Sequence, residues 1–208
     1  MFVKVCGLST PESVRTAARA GADAVGFVLT RSPRQVTPEQ VRILLADVPA
    51  GLPAVGVFRH ESAADAVAVA REAGLDWVQL HGDRSAADVR TVHDAGMKLI
   101  RAVTMAASPE AFEDWGEELL LIDAAVPGSG EAWDYGSVRA KSVSGSLAGS
   151  LTGRKWLLAG GLDPANVARA AAEAGAWGVD VSSGVESARG VKDLAKIGDF
   201  VRAAKSSE

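Results

Sequence analysis

The stretch GLDWVQLHGDRSAADVRTVHDAGMKLIRAV (74–103) holds one complete unit of the pattern that decides the fold. WVQL (77–80) and LIRAV (99–103) are short apolar runs that read as strands, and SAADVRTVHDAG (85–96) between them has helical spacing. Gly74 and Gly96 each stand just ahead of a strand, where a helix C′ position takes the left-handed backbone that glycine tolerates. Strands separated by a helix run parallel, because a right-handed crossover returns the chain in the same direction.

The same pattern extends both ways. FVKVC (2–6), AVGFVL (24–29), AVGVF (54–58), LLLID (119–123), WLLA (156–159) and GVDVS (178–182) bring the strands to eight. PESVRTAARAG (11–21), SAADAVAVAREAG (62–74) and PANVARAAAEAG (164–175) are further helices, and strand and helix are expected to alternate throughout. Gly21, Gly51, Gly74, Gly96, Gly116, Gly149 and Gly175 precede strands two to eight. The first and last lie 154 residues apart and enclose six units of about 26 residues. Eight such units close into an α/β fold of the (β/α)₈ TIM-barrel class, a single catalytic domain over 1–208. The rival is a doubly wound open sheet, but Cys6-Gly7-Leu8-Ser9 after the first strand lacks the dinucleotide glycine fingerprint. SVSGSLAGSLTG (142–153), ahead of strand seven, reads as a flexible loop remote from function.

Composition narrows the function. The 208 residues carry 22 Lys plus Arg against 26 Asp plus Glu, a net charge of −4, with no basic run, so no nucleic-acid partner is expected. With 48% hydrophobic and 23% charged residues the chain is expected to fold, and no apolar stretch nears the roughly 18 residues of a membrane span. The opening MFVKVCGLSTPES lacks the apolar core of a signal peptide, so the cytoplasm is the expected location. One cysteine and three histidines exclude a thiolate-rich zinc site.

Function in a barrel sits where strands deliver their last residues into the βα loops. Cys6 closes strand one on the face it shares with Lys4; a nearby ammonium would favour the thiolate, though a small buried hydrophobe is the plain alternative. Asp123 closes strand six ahead of PGSG (127–130) and is either a general acid raised by burial or a capping residue. Gly160-Gly161 after strand seven and Ser183-Gly184 after strand eight stand where barrels bind phosphate through backbone N–H groups. The loop after strand two holds Arg31-Ser32-Pro33-Arg34, and an arginine there has the fork that grips a carboxylate, or makes a surface ion pair. His81 and Asp180 are ligands or buried polar anchors, and the five tryptophans are expected to pack rather than form a ligand cage.

Taken together, VKVCGL (3–8), GFVLTRSPRQV (26–36), VGVF (55–58), VQLHGD (78–83), LLLID with PGSG and WDY (119–135), LLAGGLDPANV (157–167) and GVDVSSGVES (178–187) resemble the phosphoribosylanthranilate isomerase family of tryptophan biosynthesis. The resemblance implies an Amadori rearrangement of N-(5-phosphoribosyl)anthranilate to 1-(2-carboxyphenylamino)-1-deoxyribulose 5-phosphate, with no cofactor and no metal. It places the general base at Cys6, the general acid at Asp123, the anthranilate contact at Arg34 and the phosphate site at Gly160, Gly161, Ser183 and Gly184. Pro127-Gly128 and Trp133-Asp134-Tyr135 depart from the family's usual residues, and the loop after Asp123 looks short. The expected partner is thus a small phosphosugar-anthranilate substrate, with monomer and homodimer both open. A related phosphosugar isomerase, a barrel serving histidine and tryptophan synthesis together, and a silent phosphosugar-binding barrel are the alternatives.

Overall fold

The computed structural model describes residues 1–124, 133–145, 147 and 149–206. Eight parallel strands close into a barrel in chain order: β1 (Phe2–Cys6), β2 (Ala24–Val28), β3 (Ala54–Phe58), β4 (Trp77–Leu80), β5 (Lys98–Thr104), β6 (Leu119–Asp123), β7 (Trp156–Leu158) and β8 (Gly178–Val181). Helices α1 (Pro11–Ala20), α2 (Pro38–Leu44), α3 (Ala63–Ala73), α4 (Ala86–Asp94), α5 (Gly136–Ser144), α6 (Val167–Ala174) and α7 (Leu194–Lys205) surround it. A hairpin of β9 (Glu186–Ala188) and β10 (Val191–Lys192) lies between β8 and α7.

Strand alternation divides the apolar residues into two cores. Val55, Ile100, Ala102, Leu119, Leu121, Leu157 and Ala159 fill the barrel interior, flanked by Phe2 and Trp77. Val3, Val5, Phe27, Val78 and Leu120 point the other way and pack with Val14, Ala66, Val89, Val167 and Phe200 from the helices. Each such side chain contributes about 1.5–3 kcal/mol by leaving water. All seven glycines ahead of the strands have positive φ, but only Gly21, Gly74 and Gly175 cap α-helices directly.

The expected alternation fails once. Between β5 and β6 a single 3₁₀ turn, Pro109–Phe112, replaces an α-helix. Outward-pointing Arg101 organises this segment: its guanidinium lies 4.0 Å from the Trp115 ring centroid, pairs with Glu117 at 2.6 Å and donates to the Ala111 and Glu113 carbonyls. A charge buried in the outer layer needs several acceptors at once, which an irregular chain offers and a helix face does not. The segment read as a flexible loop also differs: residues 142–144 end α5, and Leu147 and Leu151 are buried. Their apolar side chains anchor the turn in the core.

Candidate active site

At the C-terminal ends of the strands lies a cavity of about 200 Å³ walled by Cys6, Gln79, His81, Asp123 and Asp180 from inside the barrel and by Arg34 from above. The loops after β7 and β8 complete it with Gly160, Gly161 and Ser183. Gly184 lies outside this wall: a Cβ there would fall 1.8 Å from the Leu162 carbonyl oxygen, so its missing side chain lets the two turns close on each other.

Cys6 is 5% exposed and packs against Val28 and Val57. Lys4, two residues earlier on the same face, is fully buried with its Nζ 2.7 Å from Asp180 Oδ1 on the adjoining strand. Burial opposes the Lys4 charge, yet Asp180 and Cys6 together outweigh it and raise the Lys4 pKa. For Cys6 burial is the largest influence and pushes the thiol up, helped by Asp180. Lys4 and Lys192 pull the other way without prevailing. The expected pull of Lys4 toward thiolate is thus present, but burial outweighs it and keeps the thiol protonated.

Asp123 closes β6, is 8% exposed, and has its pKa raised to about 6. Burial is the main cause and Asp180 adds to it. The Ala124 N–H, 2.8 Å from Oδ1, and the charge of Arg59 oppose the rise. His81 is held at about 3, first by burial and then by Lys4, Arg59 and Arg84, so its ring is neutral at pH 7. Its Nε2 lies 2.6 Å from the Gln79 amide nitrogen, while Gln79 Oε1 is buried without a partner.

Gly160 and Gly161 both have positive φ, with carbonyls turned away from the cavity. Gly160 O accepts from Trp133 Nε1 at 3.2 Å and Tyr135 Oη at 3.1 Å, and Gly161 O accepts from Asn166 Nδ2 at 2.8 Å. Neither glycine N–H donates within the described chain. Ser183 opens a 3₁₀ turn beside them. Two unengaged N–H groups at a turn form the kind of concavity that takes an anion.

Arg34 reaches the cavity on a fixed arm. Its Nε and Nη2 donate to Glu186 Oε1 and Oε2 at 2.5 and 3.0 Å, leaving Nη1 unused. Lys192 Nζ lies 2.8 Å from the same carboxylate. Burial would raise the Glu186 pKa, but Arg34, Lys192 and the Gly190 N–H lower it to about 2.

Sequence reasoning brought Cys6, Asp123, Arg34, His81, Asp180, Gly160, Gly161 and Ser183 to one cavity, and missed Gln79, Arg59, Glu186 and Lys192. Period two from His81 would have found Gln79, and the rule that found Cys6 at a strand end would have found Arg59. Glu186 and Lys192 lie on a hairpin with no comparable signal. PGSG (127–130), including Pro127-Gly128, lies outside the described residues.

An eight-stranded parallel barrel with a buried thiol, a carboxyl of raised pKa and an anion-ready glycine turn at one mouth defines an enzyme of the (β/α)₈ class. Over residues 3–203 the chain matches the sequence model of N-(5'phosphoribosyl)anthranilate (PRA) isomerase. It is 38% identical to the N-(5'-phosphoribosyl)anthranilate isomerase of Pseudomonas putida (strain W619), covering 98% of this chain and 97% of the relative. Crystalline TrpF from Jonesia denitrificans is 42% identical, with TM-score 0.82 over 100% of this chain and 98% of that one. A phosphoribosyl anthranilate isomerase in complex with reduced 1-(o-carboxyphenylamino)-1-deoxyribulose 5-phosphate is 31% identical, with TM-score 0.82 over 99% of both chains. The chain belongs to the N-(5'-phosphoribosyl)anthranilate isomerase family.

Proposed function

We propose that this barrel isomerises N-(5-phosphoribosyl)anthranilate to 1-(2-carboxyphenylamino)-1-deoxyribulose 5-phosphate in tryptophan biosynthesis, with Asp123 as general acid and Cys6 as general base. The observation that carries the reading is that Cys6 and Asp123, at the ends of β1 and β6, open into one cavity whose rim holds the Gly160-Gly161 turn. The substrate phosphate sits on the N–H groups of Gly160, Gly161 and the Ser183 turn, with Gly184 supporting that turn from behind. Asp123 protonates the ribose ring oxygen, the C1–O bond breaks, and a protonated imine forms. That imine acidifies the C2 proton, which the Cys6 thiolate removes to give an enolamine. Tautomerisation then yields the ketone. The imine must form first, because without it the C2 proton is too weakly acidic for a thiolate.

Both groups are needed in their less populated forms. The chemistry calls for thiolate plus carboxylic acid, whereas near pH 7 the raised Cys6 thiol and an Asp123 that titrates at about 6 favour thiol plus carboxylate. The two states hold the same number of protons, so the reactive one is a fixed minority fraction across the pH range between the two pKa values. Lys4 holds the thiolate in that minority state, and Asp180 fixes Lys4. His81 and Gln79 offer neutral hydrogen bonds to the sugar, and Arg34 offers Nη1 to the anthranilate carboxylate.

Acting on one small phosphosugar-anthranilate molecule without cofactor, the protein works as a single catalytic domain over 1–208 in the cytoplasm. No helix among the described residues is long and apolar enough to cross a membrane, in keeping with that location. The direct test is consumption of freshly made N-(5-phosphoribosyl)anthranilate by purified protein. Turnover lost in Cys6→Ser and Asp123→Asn, with the product analogue still bound, is expected; absence of turnover by the wild-type protein would overturn the reading.

A further inference from the structure

Arg59 is the first residue after β3, and in the closed strand order β3 stands opposite β7, four strands away in either direction. Arg59 therefore borders the same cavity as the Gly160-Gly161 turn from the far side of the mouth. Its backbone is held firmly: the N–H donates to Glu61 Oε2 at 3.1 Å and the carbonyl accepts from Arg84 Nη2 at 3.1 Å. Its guanidinium, by contrast, has no carboxylate partner and donates no hydrogen bond among the described residues. Neighbouring arginines are engaged. Arg84 donates to three backbone carbonyls, Arg101 pairs with Glu117, and Arg34 is clasped by Glu186.

Arg59 and His81 also line a second space of about 540 Å³ beside the loops after β4 and β5. Arg84 and Arg101 line it too, but their guanidinium groups are spent on backbone carbonyls and on Glu117, so of its three arginines Arg59 is the one whose guanidinium is unengaged among the described residues. A substrate with phosphate at one end and a carboxylated ring at the other needs anion sites on opposite sides of the mouth, with the acid and base between. We propose that Arg59 binds the anthranilate carboxylate, forming with Nη1 of Arg34 a two-arginine clamp that selects an ortho-carboxylated aglycone. Arg31 also lines the cavity without a partner among the described residues, but of the two only Arg59 lines the second space as well, beside His81.

The assignment rests on the proposed substrate, and its test separates the two. The probes are reduced 1-(o-carboxyphenylamino)-1-deoxyribulose 5-phosphate and its counterpart lacking the carboxylate, titrated into wild type, Arg59→Gln, Arg59→Lys and Arg31→Gln. Arg59→Gln is expected to weaken the carboxylated probe about tenfold, as loss of a charge-assisted bond does, and the other probe by less than about twofold. Arg59→Lys recovers part of the loss, and KM rises in step while kcat falls less than about threefold. Equal weakening of both probes, no weakening, or a selective loss in Arg31→Gln instead would overturn the clamp. Failure of the wild-type protein to turn over N-(5-phosphoribosyl)anthranilate would overturn the functional reading itself, whereas normal wild-type turnover with an indifferent Arg59→Gln overturns only this inference.

Discussion

Lys4 and Asp180 face each other across the first and last strands of the barrel, Nζ to Oδ1 at 2.7 Å, and the proposed base, Cys6, stands at the end of that same seam. Removing one partner of a buried pair leaves the other uncompensated. Lys4→Met is therefore expected to lower stability by about 3–5 kcal/mol in urea unfolding, and Lys4→Met with Asp180→Leu to recover much of that. The double variant should fold yet stay nearly inactive, because no ammonium then supports the Cys6 thiolate. Full activity in the double variant would remove Lys4 from the mechanism.

Cys6→Ser replaces the proposed base with a hydroxyl of far higher pKa in the same cavity. A fall in kcat of about 10²–10⁴ with little change in KM is expected from steady-state kinetics. Near-normal turnover would mean that another group takes the C2 proton.

The pH profile follows from the proposed acid and base together. One proton must be shared by Cys6 and Asp123, so kcat/KM for the free enzyme should rise with pH through about 6, where Asp123 titrates, and fall where the raised Cys6 thiol ionises. Below the first limb both groups are protonated and no base exists; above the second neither holds the proton the ring oxygen needs. A flat profile around pH 6 would count against Asp123.

Gly160 lies so close to Asp123 that a Cβ there would stand 2.6 Å from its Oδ1 and 2.8 Å from Ala124 N, at a φ of +86° that favours glycine. Gly160→Ala must shift the carboxyl, the turn or both. It should lower kcat and weaken inhibition by inorganic phosphate in one step, and wild-type values for both would show that the turn has room.

Acid should destabilise the fold in a defined window. His81 titrates near 3 folded against 6.5 ordinarily, and Glu186 near 2 against 4.5, so in both cases the unfolded chain binds protons more readily. Their stabilisation is complete above the ordinary values and is lost as pH falls, from 6.5 toward 3 for His81 and from 4.5 toward 2 for Glu186. Urea midpoints followed against pH should lose part of their dependence between 6.5 and 4.5 in His81→Asn; an unchanged slope would place that dependence elsewhere.

The sequence by itself determined the barrel. Eight apolar runs, a glycine ahead of seven of them and helical spacing between are local signals, set by period and by backbone freedom, and the closed sheet β1 to β8 bears them out. Cys6, Asp123 and the glycine turn were legible for the same reason, since a strand's last residue is at the rim whatever the rest of the chain does. Only the tertiary structure decided what those groups experience. Burial pushes both Cys6 and Asp123 upward, and that depends on neighbours such as Val28, Val57 and Asp180 brought in by other strands. Arg34 is occupied through two of its nitrogens by Glu186, 152 residues away, while the Arg59 guanidinium has no carboxylate partner among the described residues. The missing helix after β5 likewise turns on Arg101 meeting Glu117 and Trp115. Pairing and desolvation are properties of contacts between distant segments, and no period in the chain encodes them.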